Sequence, residues 1–101
     1  MLVHAVYFWL KSGLSDAQLD DHLSSLEALS QIPDARIFHL GTPAAADRPV
    51  IDRSYSYALV VGLDDEAALE RYRSHPLHRA FGERVAVCWD RQIVYDSIDA
   101  E

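Results

Sequence analysis

Five side chains in this sequence can take up a proton near neutrality or hold a group that does: His4, Tyr57, Tyr72, His78 and Asp96. An imidazole with one nitrogen bonded to a carboxylate is fixed in one tautomer, and its other nitrogen becomes a stronger base. Asp96 shares an alternation with Val94 and is the carboxylate suited to orient an imidazole. His4 alternates with Val6 and Phe8 along an apolar run. Tyr72 and His78 flank a helix break in Tyr72-Arg73-Ser74-His75-Pro76-Leu77-His78.

Each of these residues also has a plain structural reading. His4 is then a hydrogen-bonded core residue, and Tyr72 closes the core with its hydroxyl toward solvent. Asp96 pairs with a nearby base, and His75, directly before Pro76, caps a helix. Convergence of several titratable groups on one apolar cavity favours the chemical reading. His75 and His78 lack a third and fourth ligand, so no metal is expected. Cys88 has no basic neighbour in sequence to activate it. His22 and His39 have no partner that the sequence names. Asp20-Asp21 and Asp64-Asp65 read as solvated helix surface.

The elements that position these groups are legible from periodicity. Leu2–Leu10 is branched and aromatic, holds no Gly or Pro, and is apolar on both faces, as expected of a strand covered on both sides. Gly13 breaks it, and Ser15-Asp16-Ala17-Gln18 is a capping box opening a helix. Leu19, Leu23, Leu26 and Leu29 form that helix's apolar stripe, and Ile32-Pro33-Asp34 ends it. A second strand is expected over Ala35–Thr42, then a mobile loop from Pro43 to Arg53. The third strand, Tyr55–Leu63, is followed by a helix capped by Asp64 or Asp65. Pro76 breaks that helix at Ser74-His75 and starts another carrying Leu77, Phe81 and Val85. The last strand is expected over Asp90–Ile98.

The order βαββαβ is the ferredoxin-like pattern of the α+β class, a four-stranded antiparallel sheet with helices on one face. The cavity between sheet and helices is expected to take ligand against His4, Val6, Phe8, Tyr57, Leu59 and Val61. Leu23, Leu26, Phe81, Trp89, Gln92 and Val94 complete its walls. The opposite sheet face presents Val3, Tyr7, Trp9, Ala58, Val60, Ile93 and Tyr95. A soluble monomer seldom exposes more than about 300–600 Å² of contiguous apolar surface. A homodimer with the open sheet faces packed together is therefore expected.

Bulk properties narrow the partners. The 101 residues fit one domain, residues 1–101. With 16 acidic against 9 basic residues, the net charge is −7 and no basic stripe is visible. That disfavours nucleic acid and anionic membranes. A small apolar or carbonyl-containing ligand fits better. One cysteine suits a reducing cytoplasm. The apolar run at the N-terminus lacks the basic residue and cleavage site of a signal sequence and is too short to span a bilayer.

The first strand Val3-His4-Ala5-Val6-Tyr7-Phe8-Trp9-Leu10-Lys11, the segment Ala58-Leu59-Val60-Val61 and the string Tyr72-x-x-His75-Pro76-x-His78-x-x-Phe81 resemble the stress-responsive dimeric α/β-barrel (Dabb) family. The resemblance runs along essentially the whole chain. It implies a ferredoxin-like subunit whose sheets form a barrel across a dimer. A plant polyketide cyclase of the family closes its substrate by aldol condensation without a cofactor. Its catalytic histidine and tyrosine fall on His78 and Tyr72, its strand histidine on His4 and its terminal-strand aspartate on Asp96. Its second strand histidine is Tyr57 here, a pocket tyrosine is Leu26, and a pocket leucine is Gln92. The acid–base groups match while the residues that shape substrate do not, so the substrate does not carry over.

Two functions are compatible with this pattern. One is a cofactor-independent cyclase or isomerase acting next to a carbonyl. His78 is then the general base, Asp96 its orienter, and Tyr72 the donor to a developing enolate. The other is a non-catalytic dimer that binds a small molecule or serves as a stress-related accessory protein. No haem-ligand context is recognisable, and no cofactor is expected.

Overall fold

The computed structural model describes residues 1–101. Its elements are β1 (Leu2–Leu10), α1 (Asp16–Ala28), β2 (Ile37–Gly41), β3 (Tyr57–Leu63), α2 (Glu66–Ser74), α3 (Pro76–Val85) and β4 (Trp89–Ile98). The strands form one antiparallel sheet in the order β2-β3-β1-β4. β1 is central, which explains why both its faces are apolar. Leu2, His4, Val6 and Phe8 point to the helical side and are buried. They meet Leu59, Val61 and Leu63 from β3 and Leu26, Leu69, Tyr72, Phe81 and Val85 from the helices in one core. Truncating a buried Phe such as Phe8 to Ala costs about 3–5 kcal/mol in cores of this kind.

Local chemistry sets the helix ends. Ser15 and Gln18 make the reciprocal capping box of α1. Asp65 caps α2 by accepting from the Ala68 amide at 2.8 Å. Pro76 forces His75 into extended backbone (φ −61°, ψ 141°), which ends α2. The same residue opens α3, its Nδ1 accepting from the Leu77 amide at 3.1 Å.

Three expectations are corrected. The buried face of α1 is His22, Leu26 and Leu29, while Leu19 is exposed and Leu23 only half-buried. The helix is rotated so that the polar His22 faces inward, where Trp89 supplies a hydrogen-bond donor. β2 and β3 are shorter than expected because the ladder stops at Gly41 and Tyr57. Beyond it Ser56 turns aside, its amide donating to the Phe8 carbonyl and its Oγ accepting from the Leu10 amide. Just past the loop expected over Pro43–Arg53, Trp9 Nε1 donates to Ser54 Oγ at 3.0 Å. Finally, that fastening lays Tyr55 against Tyr7 on the open sheet face, and Ala58 on this face is buried.

The open face carries no helix. It holds a hollow of about 450 Å³ bounded by Tyr7, Trp9, Tyr55, Arg91, Ile93 and Tyr95 together with Asp52. The Arg91 guanidinium lies over the Trp9 ring, 4.5 Å from its centroid. Tyr95 is 63% exposed on this strand. No helix is long and apolar enough to cross a membrane.

Candidate functional site

Between the sheet and α3 lies a cleft of about 480 Å³. β1 contributes His4, Val6 and Phe8, β3 contributes Leu59, and β4 contributes Trp89, Gln92 and Val94. The helices add Arg73, His78, Phe81 and Gly82. Strand register places these groups. His4 pairs with Asp96, Val6 with Val94 and Phe8 with Gln92 across the β1–β4 ladder. Alternate residues share a face, so the inward side chains of both strands line one trough.

The polar end is built around His4. Its Nδ1 lies 2.5 Å from Asp96 Oδ1, and its ring meets Tyr72 edge-on at 5.9 Å. Tyr72 in turn meets His78 edge-on at 5.0 Å, and His78 meets Phe81 at 6.0 Å. His78 reaches the cleft because the break at His75-Pro76 starts α3 there, with His78 in its first turn. Burial pushes the His78 imidazole below its ordinary pKa of 6.5, with the positive fields of His4 and Arg73 adding to the effect. It is therefore neutral at pH 7 and able to accept a proton. Burial alone raises the pKa of the Tyr72 hydroxyl, which is enclosed and has no partner in the chain.

The structure departs from the sequence expectations at specific residues. Asp96 orients His4, not His78, because the β1–β4 register sets those two opposite each other. Leu26 and Val61 are fully buried core residues outside the cleft lining. Leu23 and Tyr57 also lie outside it, and Tyr57 stacks on His22 at 5.6 Å. Tyr72 stands behind the two imidazoles without lining the cleft itself. His4, Val6, Phe8, Leu59, His78, Phe81, Trp89, Gln92 and Val94 are brought together as expected from sequence.

Three residues were not singled out by sequence. Arg73 and Gly82 line the cleft, and the i,i+4 spacing from His78 is the signal that would have found Gly82. His22 is the third. It is fully buried, accepts from Trp89 Nε1 at 2.9 Å, and leaves its Nδ1 without a partner. No sequence pattern names Trp89 as its donor, since 67 residues separate the two. Burial lowers the His22 pKa against the opposing pull of Asp21. No three His, Cys, Asp or Glu side chains gather as metal ligands, and His75 spends its Nδ1 on the α3 cap.

This arrangement can move one proton. A neutral imidazole faces an apolar trough beside a second imidazole whose tautomer a carboxylate sets.

Comparison with known proteins agrees with this architecture. The profile of the Stress responsive A/B Barrel Domain matches residues 2–99. A search of curated proteins finds no match in sequence. Among solved structures, a Dabb family protein with a ferredoxin-like fold from Mesorhizobium loti is 25% identical. The alignment covers 99% of this chain and 97% of that one, with a TM-score of 0.78. A hydroxynitrile lyase from Passiflora edulis is 22% identical over 99% of this chain and 94% of its own, at a TM-score of 0.79. A dimeric ferredoxin-like protein of unknown function from Thermobifida fusca is 24% identical over 95% and 88%, at 0.76.

Proposed function

The chain belongs to the stress-responsive A/B barrel family, and from that premise we propose that it is a homodimer whose cleft performs cofactor-independent proton transfer next to a carbonyl. His78 is the general base. It takes the proton from the carbon beside the carbonyl, the C–H electron pair moves to form the enolate, and negative charge builds on the carbonyl oxygen. Return of the proton to another position gives isomerisation, and attack of the enolate carbon on a second carbonyl, whose oxygen then takes the proton from His78, gives cyclisation. The carboxylate of Asp96 holds the His4 ring in place, and Tyr72 meets both imidazoles edge-on from behind.

The observation that carries this reading is His78 itself, a half-buried imidazole lining an apolar cleft and held neutral at pH 7. Dimerisation is supported by the helix-free sheet face with its exposed Tyr95 and half-exposed Ile93. A cytosolic setting is supported by Cys88, a buried free thiol.

A second reading, ligand binding without turnover, is favoured by one observation: the Tyr72 hydroxyl is enclosed rather than presented to the cleft. Deuterium uptake from D₂O at the α-carbon of acetophenone and 3-benzoylpropionate separates the two. The wild-type protein should speed uptake by roughly 10²–10⁴-fold over His78→Ala, the range of general-base catalysis. Equal uptake by both proteins removes the enzyme reading.

A further inference from the structure

The cleft is polar at one end and aromatic at the other. His4 and Phe8 lie on one face of β1, about 13 Å apart at roughly 3.3 Å per residue. Near His4 stand Asp96, Tyr72 and His78. Near Phe8 stand Phe81 and Trp89, with ring centroids 6.0 and 5.3 Å from it and 5.5 Å from each other. Those three rings form an apolar seat at the far end of the trough.

Charge distinguishes the polar end. Arg73 lines the cleft and no acidic residue does, although the chain as a whole carries −7. The guanidinium is loosely held. Its Nη2 is 3.5 Å from Asp96 Oδ2 and its Nη1 is 3.8 Å from Glu70 Oε2. Charge-assisted bonds of good geometry run about 2.7–2.9 Å, so these contacts leave the donor fork open to a better partner. The Asp96 carboxylate directs its other oxygen to His4. Arg73 has 46% of its side chain exposed, within reach of an incoming molecule.

We propose that the cleft takes a small monocarboxylic acid with an aryl or medium-length acyl body, its carboxylate on Arg73 and its body running toward Phe8, Phe81 and Trp89. This rests on the proton-transfer reading for where the reacting carbon lies, beside His78, and stands apart from it for the binding itself. Seating a carboxylate at Arg73 also offsets one of the positive fields that oppose protonation of His78. Acid binding thus strengthens the base as the substrate arrives.

Calorimetric titration of the full chain with 4-phenylbutyrate and with its neutral analogue 4-phenylbutanamide tests the inference at low salt. The acid should bind at least about tenfold more tightly than the amide, as expected of a bidentate charge-assisted pair. Arg73→Gln should bring the acid down to the level of the amide. Arg73→Lys should keep part of the preference, and it replaces the Gln variant should circular dichroism show that one unfolded. Equal binding of acid and amide by the wild type overturns the proposal. So does a preference that survives Arg73→Gln, and so does binding of neither compound. Acid preference without deuterium exchange leaves this inference standing and removes the base. Exchange without acid preference does the reverse.

Discussion

Asp96 Oδ1 lies 2.5 Å from His4 Nδ1, between two residues that the β1–β4 register places directly opposite each other. The contact joins positions 92 residues apart, yet no loop is needed to make it. A carboxylate there fixes the orientation of the ring and holds Nδ1 as its partner. Asp96→Ala should lower the unfolding free energy by about 1–2 kcal/mol, the cost of leaving the buried His4 side of a part-buried hydrogen bond without its partner. Asp96→Asn, which keeps an acceptor oxygen, should lose less. Urea denaturation of the three proteins checks both the sign and the ranking. An unchanged midpoint in Asp96→Ala would show that the pair contributes nothing to the fold.

A second prediction concerns acid lability. Burial holds the folded-state pKa of His22 below its ordinary value of 6.5, and His78 is lowered as well. The unfolded chain therefore binds more protons than the folded one once pH falls toward 6.5. Stability is lost from there down to the folded-state pKa values, and no further below them. The urea midpoint should fall between pH 7.5 and pH 5.5. His22→Phe should start less stable at pH 7.5, because Trp89 Nε1 loses its acceptor, and its midpoint should then fall less on acidification. A slope identical to wild type would place the proton uptake elsewhere.

Much of this architecture was legible because it depends on short-range chemistry. Pro76 dictates the break at His75, the Ser15–Gln18 box opens α1, and strict alternation puts His4, Val6 and Phe8 on one face. The partner of Asp96 was not legible. Face sharing with Val94 gave the direction of its side chain, but register decides which imidazole lies opposite, and register is a property of two strands together. The rotation of α1 was hidden for a related reason. A leucine at position 19 and a histidine at 22 suggest the wrong buried face unless the donor on Trp89 is known. Arg73 was not legible as a cleft residue, because with Arg71 in the last turn of α2 it reads as solvated surface until the cleft beneath it is seen.

The open sheet face yields a third prediction. Tyr95 points outward from β4 beside the hollow lined by Tyr7, Trp9 and Ile93. A carboxylate in that position would be buried without a partner in a face-to-face dimer. Tyr95→Asp should convert a dimer into a monomer in sedimentation velocity at micromolar concentration, with the far-ultraviolet spectrum retained. A monomeric wild-type protein, or a variant that still sediments as a dimer, would show that this face is not the interface.

The central claim is that His78 is held as a neutral base in the cleft, and its titration by NMR tests this most directly. Three groups face it: Tyr72, His4 and Arg73, with Asp96 bonded to the far side of His4. The wild-type imidazole should titrate with a midpoint below 6.5, and Arg73→Gln should raise that midpoint by removing one positive field. A midpoint at or above 6.5, or one indifferent to Arg73→Gln, would contradict the account.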